Sequence, residues 1–99
     1  MTKKRVVVTG IGAVSPFGCG VKKFWDSLLK GESGIKKLTR ISLDGHLVTF
    51  GGEVTTFEDE VLEQNLLDVK EMKRMDRFTQ FACVASDEAI KDYALDISK

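Results

Sequence analysis

Apolar positions along the chain change period several times, and each change predicts an element. Val6, Val7 and Val8 are consecutive and lead into Thr9. A β-branched run without polar alternation predicts a strand over Val6–Thr9 covered on both faces, as in a parallel sheet. Gly10, Gly12, Gly18 and Gly20, with Ser15-Pro16 between them, predict a turn with tight backbone demands. Val21, Phe24, Trp25, Leu28 and Leu29 then recur at helical spacing, with Lys22, Lys23, Asp26 and Lys30 on the other side. Gly31 is a natural stop for that helix.

Residues 32–46 read as connector. From Val48 to Val54 the apolar positions alternate, which predicts a second strand with one covered face. Gly51-Gly52 inside it points to a bulge or a close backbone approach. Glu58 to about Val69 reads as a short helix with its acids near the positive end. Asp76 suits the N-cap of a further helix, whose packed face is Phe78, Phe81, Ala82, Ala85, Ala89 and Tyr93. Alanines there let the helix lie close against a neighbour. The pattern is α/β, yet a doubly covered first strand needs partners on both sides, and one other strand is visible. Residues 95–99 add none. The expectation is that residues 1–99 are the incomplete N-terminal segment of a longer protein.

Composition narrows the function classes. Fifteen basic and fifteen acidic residues leave no net charge, which gives no reason to expect a nucleic-acid or membrane partner. Cys19 and Cys83 form no Cys-x-x-Cys unit and no disulfide framework, which fits a reducing, cytoplasmic setting. Lys3-Lys4-Arg5 precedes an apolar run too short for a signal sequence. No run approaches transmembrane length.

Three constellations could carry chemistry. Gly10-Ile11-Gly12 follows the first strand as a dinucleotide fingerprint would, but Ser15 stands where the third glycine belongs and no acid ends a second strand. Its plain alternative is a structural turn. Cys19 precedes a helix, where a thiol could be acidified, but no base is placed beside it. The single histidine, His46, reads as an exposed loop residue, Cys83 as a small packed hydrophobe, and no zinc site can be assembled. Lys70, Lys73, Arg74 and Arg77 fall at i, i+3, i+4 and i+7, one cationic stripe if the stretch is helical. That stripe is either a solvated face or a dock for one anionic partner.

The wording Val6-Val7-Val8-Thr9-Gly10-Ile11-Gly12, then Ser15-Pro16 and Gly18, resembles the opening of the β-ketoacyl-acyl-carrier-protein synthases, most of all the elongating type II enzymes. Phe24-Trp25, Leu28-Leu29 with Gly31, Ser33-Gly34-Ile35, Phe50, Gly52, Val54, Lys70-Glu71 and Lys73-Arg74-Met75-Asp76-Arg77-Phe78 continue the likeness along nearly the whole chain. The resemblance implies the N-terminal part of a thiolase-like fold within a homodimeric enzyme several times longer. It implies decarboxylative Claisen condensation of malonyl-acyl carrier protein with an enzyme-bound acyl thioester, in fatty-acid biosynthesis, with no metal or organic cofactor. The family's nucleophilic cysteine and two histidines lie beyond the equivalent of Lys99, so no catalytic residue is assigned here. Lys70, Lys73 and Arg74 match the positions on which the family docks acidic acyl carrier protein, and docking becomes the favoured reading of the stripe. It stops short of Arg77, which falls where the packed helix begins. Glu58 to Asp68 is a few residues longer than the family pattern. Two competing readings are a non-catalytic partner subunit of such a synthase and, more remotely, a nicotinamide-dependent oxidoreductase.

Overall fold

A computed structural model of the chain describes residues 3–93. The elements run β1 (Val14–Ser15), β2 (Gly18–Cys19), α1 (Val21–Leu29), β3 (Ile35–Lys37), β4 (Phe50–Gly52), α2 (Phe57–Gln64), α3 (Val69–Met72) and α4 (Arg77–Tyr93). The architecture is mixed α/β. Its strands form two small antiparallel ladders, β1 with β2 and β3 with β4. The reading of residues 95–99 lies outside the described residues.

The first expectation fails in an informative way. Val6–Thr9 is not a strand, and Val6 and Val8 are 92% and 82% exposed. A strand exists only where a ladder partner takes its backbone groups. Among the described residues nothing pairs with this segment. Ordered pairing begins later, where Val14 faces Cys19 and Ser15 faces Gly18 across the Pro16-Phe17 turn. Gly18 (φ 126°) and Gly20 (φ 110°) hold backbone shapes that L side chains rarely adopt.

The connector hides a strand. Ile35, Lys36 and Lys37 pair with Gly52, Gly51 and Phe50, and the Leu38 amide extends the ladder to the Thr49 carbonyl at 2.9 Å. Ile-Lys-Lys carries no alternation, which is why the pattern does not reveal it. The predicted strand over Val48–Val54 is correspondingly shorter. The close approach expected at Gly51-Gly52 is real: a side chain at Gly52 would meet the Pro16 ring at 3.3 Å, and one at Gly34 would press it at 2.9 Å. The β3–β4 hairpin thus rests on the first turn.

Helix α1 forms where the period predicts it, and Gly31 (φ 73°) follows its end. No residue of α1 is buried. The helix predicted over 58–69 stops early at Gln64, because Asn65 turns left-handed (φ 53°). The Asp68 carboxylate then accepts the Lys70 amide at 3.0 Å and caps α3.

The core lies between β2, α2 and α4. Phe57 and Val61 are fully buried and Cys19 and Val84 nearly so, with Val14, Val54, Leu66, Leu67, Met72 and Phe81 packed around them. Phe57 and Phe81 meet edge to face at 4.7 Å. The face of α4 that packs is rotated from the predicted one: Val84 is buried, whereas Phe78, Ala82 and Tyr93 are exposed. Cys83 is exposed too, against its reading as a packed hydrophobe. The alanines do permit close packing. A Cβ at Gly12 would collide with the Ala85 carbonyl, and one at Gly10 with the Ala89 carbonyl. Space against a helix backbone, not a left-handed dihedral, is what demands glycine at these two positions.

Candidate docking surface

The cationic residues do not share one helix. Lys70 lies in α3, Lys73 caps its C-terminal end, and Arg74 sits in the turn that follows. That turn is tight. The Arg74 amide donates to the Glu71 carbonyl at 3.0 Å and the Met75 amide to the Met72 carbonyl at 3.1 Å. From α4, the Gln80 side-chain amide donates to the Met72 and Met75 carbonyls at 3.1 and 3.2 Å. The turn keeps Lys70, Lys73 and Arg74 exposed and near one another, and among the described residues none of them is in an ion pair.

Arg77 is diverted inward. Its Nε donates to Glu58 Oε1 at 2.8 Å and its Nη2 to Glu58 Oε2 at 3.2 Å and to the Val54 carbonyl. Its guanidinium lies 4.7 Å from the centre of the Phe81 ring. The hydrogen bond from Arg77 holds the Glu58 carboxyl below its ordinary value. Arg77 therefore ties α2 to α4, only partly exposed and already paired. Because Glu58 is spent on Arg77 and Asp68 on capping, two acids close to the surface are already engaged.

The glycine turn has been claimed by carboxylates. Glu88 accepts the Ala13 amide at 2.9 Å on one oxygen and the Val21 amide at 3.0 Å on the other. Asp92 accepts the Ile11 amide at 3.1 Å, and Glu60 accepts the Cys19 amide at 2.6 Å and the Lys23 ammonium. These amides are the donors a pyrophosphate would require at a strand–turn–helix unit. Acids pointing at them oppose a dinucleotide, which removes the physical basis of the oxidoreductase reading at this turn. Glu60 and Glu88 were missed as structural groups from the sequence. The available signal was an acid three positions after an apolar or alanine position of a packed face, Phe57 and Ala85 respectively.

Cys19 is unsuited to attack. Burial foremost, and then its hydrogen bond to Glu60, push its thiol up to about 12, so it stays protonated near neutral pH. His46 is exposed in a loop, its amide bonded to the Leu43 carbonyl. Among the described residues no three His, Cys, Asp or Glu side chains group as metal ligands. No described helix is long and apolar enough to cross a membrane.

These elements define a piece of a condensing-enzyme fold of the thiolase-like α/β class. Residues 3–99 match the family described as beta-ketoacyl synthase, N-terminal domain, and the chain belongs to that family. It is 50% identical over 96 residues to 3-oxoacyl-[acyl-carrier-protein] synthase 2 of Staphylococcus aureus (strain COL), covering 97% of this chain and 22% of that protein. With the protein of the same description from Synechocystis sp. (strain ATCC 27184 / PCC 6803 / Kazusa) it shares 44% over 99 residues, 23% of that relative's length. The solved structure described as the ishigamide ketosynthase/chain length factor superposes on 98% of this chain with a TM-score of 0.79 and 30% identity, using 23% of its own length. The chain thus spans under a quarter of the length of the relatives it matches.

Proposed function

We propose that this chain is the N-terminal segment of an elongating β-ketoacyl-acyl-carrier-protein synthase. The full enzyme condenses malonyl-acyl carrier protein with an enzyme-bound acyl thioester in fatty-acid biosynthesis, as a cytoplasmic homodimer. The segment contributes no catalytic residue. Its contribution is structural, together with a dock for the acidic carrier protein on Lys70, Lys73 and Arg74. The observation that carries the docking reading is the tight turn after α3, which gathers three exposed cations with no ion pair among the described residues. The exposed Val6–Val8 run and the exposed apolar face of α1 support the reading as a segment, because further chain has surface to cover there.

The test is charge reversal in the full-length synthase. Lys70→Glu, Lys73→Glu and Arg74→Glu together weaken carrier-protein binding about tenfold or more at low salt, while turnover of a small thioester substrate changes little. Equal loss with both substrates would overturn the docking assignment. The isolated 99-residue chain is inactive, since it holds no paired nucleophile and base.

A further inference from the structure

Beside the three cations lies an apolar groove that neither the fold nor the charges use. Asn65 ends α2 in a left-handed turn, and residues of α2 and α3 line one cleft. Leu62, Val69 and Met72 line the cleft between them, and Glu58 and Lys73 form its rim. Leu62 is 66% exposed and Val69 47% exposed, although Met72 beneath them reaches the core. The groove holds about 270 Å³. Small-molecule sites usually hold roughly 300–1,000 Å³ and are more enclosed. The size suits one or two protruding side chains instead.

Resting on the docking reading above, we infer that this groove seats an apolar side chain that lies beside the acidic residues on the carrier protein's surface. Charge complementarity selects that occupant. Lys73 stands at the groove rim, with Lys70 and Arg74 close by in the chain, whereas the rim acid Glu58 is tied to Arg77. On a docked helix, residues three or four positions apart are neighbours, with about 5–6 Å between their Cβ atoms. An apolar residue at that spacing from a carboxylate that reaches Lys73 would fall over Leu62 and Val69. The cations steer and orient, and the groove supplies the desolvated anchor that slows release.

The experiment uses full-length synthase, purified acyl carrier protein as probe, and two salt concentrations. Leu62→Asn with Val69→Asn lowers affinity about tenfold at both, since apolar burial is not screened. Leu62→Met retains affinity. The charge-reversed variant, by contrast, loses its affinity chiefly at low salt. If the asparagine pair binds normally while charge reversal weakens binding, the groove inference falls and the docking reading stands. If neither set weakens binding, both fall. A lowered melting temperature with equal loss of small-thioester turnover would assign the groove to the enzyme's own chain, and an altered oligomeric state to a second copy. Either result overturns the inference.

Discussion

Two parts of this molecule carry equally apolar patterns and end in opposite conditions. Phe57 and Val61 of α2 are shut away against Val84, Phe81 and Cys19. Val6–Val8 and the Phe24, Trp25, Leu28 and Leu29 face of α1 lie open to solvent. Nothing in the hydropathy of the second set is weaker. The difference is that α2 has α4 to lie against, with the Arg77–Glu58 pair closing the contact. The valine run has no ladder partner among the described residues. An apolar face is an instruction to be covered, and it cannot name what covers it.

Replacing a side chain in the closed region has the largest expected effect. Phe57→Ala costs about 3–5 kcal/mol, as truncation of a fully buried aromatic does, read as a fall in the melting temperature of the full-length protein. A loss below about 1 kcal/mol would mean that the α2–α4 contact is not the core.

The polar staple between the regions comes next. Glu60 is buried, accepts the Cys19 amide and binds Lys23 of α1. Burial alone would raise its pKa, but the hydrogen bonds from Cys19 and Lys23 outweigh it and hold the carboxyl below its ordinary value. A depressed folded pKa gives stability that is present above the unfolded carboxyl value of about 4.3 and is lost as pH falls through the folded value. Glu60→Gln therefore destabilises by about 1–3 kcal/mol at neutral pH, and its difference from the parent shrinks in acid. Melting temperatures of both proteins between neutral and acidic pH measure this. A difference that grows on acidification would contradict the assignment.

The smallest effect sharpens the comparison most. Trp25 is 57% exposed, so Trp25→Ala shifts the stability of the 99-residue chain by about 0.5 kcal/mol or less. In the full-length protein the same change costs several times more if further chain covers the α1 face. Denaturant unfolding at both lengths decides it, and equal costs would break the segment reading.

Much of the local structure was legible. The α1 pattern, its Gly31 stop, the Asp76 position before α4 and the alanines that admit a close neighbour all follow from short-range rules about period and caps. The β3 strand was not legible, because Ile35-Lys36-Lys37 becomes a strand only by pairing with Phe50–Gly52. Nor was the break at Asn65, which split an expected helix and made the groove between α2 and α3. At the proposed docking surface, sequence spacing suggested four cations on one helix face. The fold keeps Lys70, Lys73 and Arg74 outside by a turn and draws Arg77 in.

By itself, the sequence determined the family and the positions of α1 and α4, and it marked Gly10 and Gly12 only as turn glycines, whereas the close approach of α4 that requires them is tertiary. Only tertiary structure decided which faces are covered, which arginine is structural, and that the turn amides belong to Glu60, Glu88 and Asp92. The physical reason is range. Helical period and turn chemistry act over a few residues of chain. Burial, ladder pairing and carboxylate–amide bonds such as Glu88 to Ala13 join residues far apart in sequence, and exist only once the chain has folded back on itself.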